Sequence, residues 1–274
     1  MAAFDSSSLP PLRDVIARHE LRTRKSLGQH FLCDMNLIRR IAAVAGDMSG
    51  CTVVEVGPGP GGLTRALLET DAVAVVAVEK DPRCVAALAD LADAAPGRLR
   101  IVEGDALKTD LVAMTAPPRA IVANLPYNVG TELLLGWLHH IENWRSLTLM
   151  FQAEVADRIA AAPGSKAYGR LSIIAQFCCD VARVLDVPAA AFSPPPKVDS
   201  AIVHLTPRRD RPADVDLAKL ERVTAAAFGQ RRKMLRASLK SLGGEALLAR
   251  AGINPQERAE NLTLNDFENL ARLV

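Results

Sequence analysis

The sequence predicts an α/β protein: a mostly parallel sheet with helices on both faces, followed by a small all-helical domain. Three observations carry this. From residue 51, short Val/Ala/Ile runs alternate with helix-patterned segments, the order that strand–helix–strand units produce. The runs are almost continuously apolar, as strands are when both faces are covered. After Val215 no strand-like run follows, and charged residues and Gly243-Gly244 punctuate a helical pattern.

In chain order, residues 1–20 read as a flexible N-terminal segment. Met1 to Pro11 is small and polar, without the basic-then-apolar order of a secretory signal. An Arg-rich stretch and Ser26-Leu27-Gly28-Gln29-His30-Phe31-Leu32 come next, then helical spacing at Leu37, Ile38, Ile41 and Val44. Thr52–Val56, Ala72–Glu79, Leu99–Val102, Ala120–Ala123 and Leu147–Phe151 are runs of strand length. Leu63–Leu68, Pro82–Leu91 and Thr131–Ile141 read as helices, the second with proline in its first turn. Val181–Val187 and Val198–Leu205 flank the Pro-rich Phe192-Ser193-Pro194-Pro195-Pro196 and are expected as an antiparallel pair at the sheet edge. This divides the chain into a domain over 21–207 and a helical one over 208–274, with no internal repeat.

At 274 residues and 49% hydrophobic content, the chain can build one large core and one small one. The net charge of +2 names no partner, but 13 Lys+Arg face 9 Asp+Glu from Pro207 onward. A basic helical part hints at a polyanion. Cys33, Cys51, Cys84, Cys178 and Cys179 are odd in number and form no C-x-x-C pair. They read as reduced thiols of a cytoplasmic protein rather than disulfides or zinc ligands. His139 and His140 are adjacent on a helix and cannot share a face, so no metal is assigned. The longest aliphatic run, Ala72–Val78, is too short to cross a bilayer.

Glu55-Val56-Gly57-Pro58-Gly59-Pro60-Gly61-Gly62 joins a strand to a helix and contains G-x-G-x-x-G at Gly57, Gly59 and Gly62. Glycines there let backbone pass close to a ligand. Glu79 ends the next strand, 22 positions after Gly57, where a carboxylate can accept ribose hydroxyls. Asp105 ends the third strand and can accept from an adenine amino group. The three together point to an adenosine-containing cofactor. A dinucleotide would need N–H groups at the helix start for its pyrophosphate, and Pro58 and Pro60 each remove one. S-adenosylmethionine has no phosphate and tolerates both.

Asn124-Leu125-Pro126-Tyr127 follows the buried run Ala120–Ala123. By itself it is also an ordinary Pro-containing turn. At the tip of a strand beside a cofactor, it offers an amide, a carbonyl and a phenol ring to a planar amine.

With Glu55–Gly62, Glu79 and Asp105, this tetrapeptide resembles the Rossmann-like sheet of class I S-adenosylmethionine-dependent methyltransferases acting on amino groups. Gly28–Leu32, Phe192–Ser200 and Phe228-Gly229-Gln230-Arg231-Arg232-Lys233-Met234-Leu235 narrow it. In that order the pieces resemble the ribosomal RNA adenine dimethyltransferases, in their bacterial small-subunit branch, from about Leu21 to the end. His30 departs from the Asn that many members carry.

The resemblance implies transfer of two methyl groups to N6 of each of two adjacent adenosines in a hairpin near the 3′ end of small-subunit (16S) rRNA. S-adenosyl-L-methionine would be the donor and S-adenosyl-L-homocysteine the product. Asn124 and the Pro126 carbonyl would accept the N6–H bonds, while Tyr127 and Phe192 would stack on the flipped base. Phe192 can equally be a core plug under the prolines. Gln29, His30 and Leu32 would cover the methionine end and Gly57 the carboxylate. Glu79 would take the ribose and Asp105 the adenine, flanked by Gly59, Lys80, Ala106 and Asn124, with Glu55 orienting the loop. Arg231, Arg232, Lys233, Arg236 and Lys240, on an expected helix, and Arg22, Arg24 and Lys25 would meet RNA phosphates. The expected partner is the small ribosomal subunit, with a monomeric enzyme, no membrane and no metal. Alternatives are a large-subunit rRNA adenine or protein-glutamine methyltransferase, a ribosome-assembly factor whose binding outweighs its chemistry, and, weakest, a dehydrogenase.

Overall fold

The structure, a computed structural model, describes residues 4–21 and 30–274. Arg22, Arg24, Lys25 and Gln29 lie outside the described residues. The elements in order are α1 (Leu12–Arg18), β1 (Phe31–Leu32), α2 (Met35–Ala43), β2 (Thr52–Val56), α3 (Gly62–Leu68) and β3 (Ala74–Glu79). Next come α4 (Pro82–Ala94), β4 (Leu99–Glu103), β5 (Arg119–Asn124), α5 (Gly130–His139), β6 (Ser146–Gln152), α6 (Ala153–Ile159) and α7 (Arg170–Cys178). Then follow β7 (Cys179–Val187), β8 (Phe192–Ser193), β9 (Ser200–Pro207), α8 (Leu217–Gly229), α9 (Leu235–Ser238), α10 (Gly244–Arg250) and α11 (Leu264–Leu273).

The seven-stranded sheet runs β4-β3-β2-β5-β6-β9-β7. β2 pairs in parallel with β3 and β5, and β6 continues parallel from β5. β9 lies antiparallel on β6, from Gln152↔Ser200 to Leu147↔Leu205. Central strands are buried on both faces: Val53, Val54, Val75, Ala120, Ile121 and Val122 are all inaccessible. That is why they carry Val, Ile and Ala without polar alternation. The two late runs do reach the expected edge, with β9 against β6 and the largely exposed β7 outermost. β1 and β8 form a separate antiparallel ribbon with Leu32↔Phe192, which no sequence pattern announced.

Local signals place the helices. Asp34 caps α2 by accepting from the Asn36 and Leu37 amides. Asp81 caps α4 ahead of Pro82. The start of the chain, expected as a flexible segment, carries the short helix α1. Leu12 and Val15 of α1 are 4% and 6% exposed, and Arg65 donates to the Pro10 carbonyl at 2.7 Å. Apolar residues three apart give even this seven-residue helix a face to bury.

The chain divides into two compact units: 1–156 with 182–206, and 157–181 with 207–274. In the second, Tyr168, Phe228 and Phe267 form a ring cluster, and a Thr263–Asp266 capping box starts α11. α7 is buried nearly all round, so its apolar run lacks the amphipathic spacing that marks a surface helix. No described helix is long and apolar enough to cross a membrane.

Candidate active site

Strand order grows outward from β2 to β3 and β4, then restarts on the other side with β5. At such a switch point, loops after neighbouring strands part and leave a crevice at the strands' C-terminal ends. A cavity of about 200 Å³ lies there, within the first unit. His30, Leu32, Glu55, Gly57, Gly59, Glu79, Lys80, Asp105, Ala106, Asn124, Pro126 and Tyr127 all line it.

Gly57 and Gly59 take φ of +69° and +57°, a region side-chain-bearing residues rarely adopt. A Cβ on Gly57 would come within 3.5 Å of the Pro126 ring. The glycine loop and the Asn124–Tyr127 turn therefore face each other closely.

Glu79, 6% exposed, ties the loop down. Its Oε2 accepts from the Gly59 amide at 3.0 Å, and its Oε1 from the Lys80 and Asp81 amides at 2.8 Å each. Burial raises its pKa, and these three bonds oppose the rise. A carboxylate offers about four acceptor sites, so about one remains for a ribose hydroxyl. Asp105 accepts from Lys80 Nζ at 2.8 Å and from the Leu107 amide at 3.1 Å. The Lys80 bond holds its pKa below the usual carboxylate range.

Glu55 is 1% exposed, and burial, aided by the nearby Glu79 charge, pushes its pKa up to about 8. Its Oε2 has no hydrogen-bond partner among the described residues. At neutral pH it is a neutral acid beneath the loop, not a second anion. Because the folded pKa lies above the ordinary value of 4.5, its stabilising contribution is complete below about 4.5. That contribution falls as pH rises and is gone above about 8. Glu55→Gln is expected to gain in melting temperature relative to the wild type as pH rises across this window, with the difference level above it. Melting curves of both proteins between about pH 5 and pH 9 measure this.

Asn124 ends β5 opposite Met150 and is half-buried at the cavity. The Pro126 carbonyl does not serve as expected. It accepts from the Val129 and Gly130 amides at 3.2 and 3.0 Å, so α5 consumes it. The Leu125 carbonyl is not committed to that helix. Tyr127 Oη lies 2.6 Å from the fully buried Ser200 Oγ at the start of β9, which pins the ring's far end. Sequence reasoning placed Ser200 in a motif but assigned it no role. Its one signal was a hydroxyl opening an apolar strand.

Phe192, expected to face a base, is 4% exposed and packs into the apolar cluster with Leu32, Ile38 and Leu63. That is the place of a core plug, since a stacking ring must offer a face. The His30 ring lies 5.7 Å from that of Tyr127 and 6.5 Å from that of Phe192, between centroids.

The basic residues belong to the second unit; Arg231, Arg232 and Lys233 lie in a turn rather than on the expected helix, while Arg236 sits on α9 and Lys240 opens a short 3-10 helix. α8 ends at Gly229, and the Lys233 amide donates to Gln230 to close the turn. Arg231 bonds Glu260 at 3.1 Å and the Lys166 carbonyl at 2.5 Å, and Arg236 sits 3.7 Å from Glu245. Arg232, Lys233 and Lys240 are exposed. No group of three or more His, Cys, Asp or Glu able to hold a metal occurs among the described residues.

Comparison with known proteins places this geometry. The ribosomal RNA adenine dimethylase family matches residues 20–274. The ribosomal RNA small subunit methyltransferase A of Agrobacterium fabrum is 58% identical over 279 residues, covering 100% of both chains. Its counterpart in Rhodospirillum rubrum is 56% identical over 100% of this chain and 95% of its own. Among solved structures, a dimethyladenosine transferase from Plasmodium falciparum has a TM-score of 0.75 at 27% identity, over 88% of this chain and 96% of its own. The 23S rRNA methyltransferase ErmE has a TM-score of 0.68 at 27% identity, over 89% and 98%. The sheet is thus that of class I methyltransferases, and the chain belongs to the ribosomal RNA adenine dimethylase family.

Proposed function

We propose that this protein dimethylates N6 of two adjacent adenosines in the 3′-terminal hairpin of small-subunit rRNA, using S-adenosylmethionine, in the cytoplasm and as a monomer. One observation carries the reading. A single cavity brings the Asn124 amide to the glycine loop and to the acceptors Glu79 and Asp105. This donor set fits a nucleoside without phosphates: carboxylates for hydroxyls and an amino group, and prolines where a pyrophosphate would need N–H groups. Glu79 and Asp105 would hold its ribose and adenine, with Lys80 and Ala106 beside them. Gly57, Gly59, Gln29, His30 and Leu32 would take the methionine end, over Glu55. The bound cofactor supplies an electrophilic methyl group.

The chain's residues do the rest by positioning. The Asn124 side-chain oxygen accepts one N6–H. With the Pro126 carbonyl spent on α5, the Leu125 carbonyl is the backbone acceptor left for the other. Two such acceptors favour a pyramidal nitrogen with its lone pair aimed at the methyl group. No strong base is needed, because the methylated nitrogen is acidic. After the first transfer a single N–H remains, so one acceptor suffices for the second. Tyr127, pinned by Ser200, offers a fixed stacking face.

Arg232 and Lys233 are proposed phosphate contacts. Arg231 in the same turn and Arg236 on the following α9 are held by Glu260 and Glu245. Arg22, Arg24 and Lys25 are a second candidate patch. Replacing Arg232 and Lys233 with Ala should flatten the slope of log affinity against log salt by about 1–2. Filter binding to small subunits across a salt series reads that slope. The function itself is tested by incubating the protein with undermethylated small subunits and labelled S-adenosylmethionine, then mapping modified adenosines by mass spectrometry. Dimethyl label on two adjacent adenosines of the 3′-terminal hairpin is expected, and its absence there would overturn the reading.

A further inference from the structure

Residues 161–169, between α6 and α7 in the second unit, carry Pro163, Gly164, Gly169 and no aliphatic side chain larger than that of Ala. Such a composition gives a loop little apolar surface to hold it in place. The segment is instead fastened along its length. Gln176 of α7 donates through Nε2 to the Ile159 and Ala161 carbonyls at 3.2 and 2.8 Å. The Gly164 amide donates to the Glu260 carbonyl at 2.7 Å, and the Lys166 carbonyl accepts from Arg231 Nη2 at 2.5 Å. Tyr168 is buried, edge-on to Phe228 at 6.3 Å. Core packing accounts for Tyr168 but not for the tip, where Ala162, Pro163, Gly164 and Lys166 are all exposed. Ordering an exposed tip costs backbone entropy. A loop ordered in advance does not lose that entropy when a partner binds.

Arg231 is the centre of this fastening. Its Nε donates to the Glu260 carboxylate at 3.1 Å while its Nη2 holds the Lys166 carbonyl. One guanidinium thus joins three stretches of chain: residues 161–169, the turn after α8, and the run before α11. The charges then divide into two kinds. Arg231 is paired with Glu260. Lys166, Arg232 and Lys233 are exposed, and among the described residues their cations have no acidic partner. Lys166 lies one hydrogen bond from Arg231, and Arg232 and Lys233 follow Arg231 in the chain, so the three are gathered at one place. A lysine on a loose loop is ordinarily only a solvated charge. A lysine on a fastened loop, beside two other cations and without an acid, meets phosphates without first breaking an ion pair.

We propose that Lys166 is a further phosphate contact and that Arg231 is a positioning residue, the clamp that sets Lys166 beside Arg232 and Lys233. The assignment rests on the RNA-modifying function proposed above. It extends the contact surface to a segment 65 residues earlier in the chain. Arg231, its charge held by Glu260, makes no phosphate contact itself.

The test measures binding to undermethylated small subunits across a salt series, with kcat and KM for methylation, in the wild type, Lys166→Ala, Lys166→Arg, Arg231→Ala and Glu260→Ala. Lys166→Ala is expected to flatten the slope of log affinity against log salt by about 1, the loss of one phosphate contact, and Lys166→Arg to restore it. Glu260→Ala removes a negative charge beside the cations, so charge alone would tighten binding. The clamp predicts the opposite. Binding weakens about 2- to 10-fold at an unchanged slope, with KM raised and kcat kept, because Lys166 must then be ordered as it binds. Arg231→Ala is expected to behave as Glu260→Ala does. A Lys166→Ala slope equal to the wild type's would sink the contact, as would a Lys166→Arg slope as flat as that of Lys166→Ala. Equal or tighter binding by Glu260→Ala would sink the clamp. So would a kcat that falls with the affinity, or a slope flattened by about 1 in Arg231→Ala. Mapping the adenosines methylated by the wild type tests the function separately. Absence of label from the hairpin would bring down that reading, whereas a labelled hairpin with an unchanged Lys166→Ala slope brings down this inference alone.

Discussion

Asn124→Ala is expected to lower kcat for methyl transfer by about 10²- to 10³-fold, the usual cost of removing one preorganised polar contact to a reacting group. Asn124 stands at the last position of β5, held in register by Met150 of β6, so its amide is placed by the sheet rather than by a mobile loop. Truncation leaves strand and turn intact. The Leu125 carbonyl, a backbone group, survives the change, and residual activity through that acceptor alone is the expected floor. Single-turnover rates on undermethylated small subunits measure the loss, and a co-sedimentation assay follows subunit binding. Binding is expected to persist. If the rate is unchanged, the amide does not touch the nitrogen. A variant that binds, supports assembly and fails only in chemistry would also separate the assembly-factor role from the catalytic one.

Glu79→Ala is expected to cost both cofactor binding and stability. One carboxylate satisfies three backbone amides, those of Gly59, Lys80 and Asp81, in a nearly closed setting. Leaving a buried donor unpaired costs about 1–3 kcal/mol, so several kcal/mol are at stake, reduced wherever water reaches an amide. Glu79→Gln keeps the shape and one acceptor oxygen. It is expected to melt between the wild type and Glu79→Ala while binding S-adenosylhomocysteine much more weakly than the wild type. Thermal melts and calorimetry on the three proteins decide it. A Glu79→Ala protein that melts with the wild type would show that the carboxylate does not hold the glycine loop.

Asn124 and Glu79 also mark how far the site is legible in the sequence. The strands were legible because burial on both faces forces long Val/Ala/Ile runs, and Thr52–Val56 matches β2 at both ends. The glycine loop was legible because Pro58 and Pro60 among four glycines restrict what can bind there. Glu79 was found as a ligand candidate, but its structural role was not. Nothing in a sequence shows that the Gly59 amide, twenty residues away, lies 3.0 Å from its carboxylate. That the Pro126 carbonyl already accepts two amides is hidden in the sequence for a related reason. A tetrapeptide read as a strand end does not reveal that the next helix begins at once and takes that oxygen. The turn at Arg231–Lys233 reads as helix in the sequence because charge spacing carries no hydrophobic face to check it against.

The sequence by itself determined the class of the fold, the order of its main strands along the chain, and the placing of a glycine loop, a carboxylate and an amide at the strand ends. These follow from local rules: periodicity, turn chemistry and the spacing of loop to carboxylate. Only the tertiary structure decided which rings meet, that Phe192 is enclosed while His30 stands before Tyr127, and that Ser200 holds the phenol. Those pairs join segments up to about 160 residues apart, through the β1–β8 ribbon and the β9 insertion, which no local pattern encodes. Side-chain chemistry at a strand end is local, but the neighbours that make it a site are brought by the sheet.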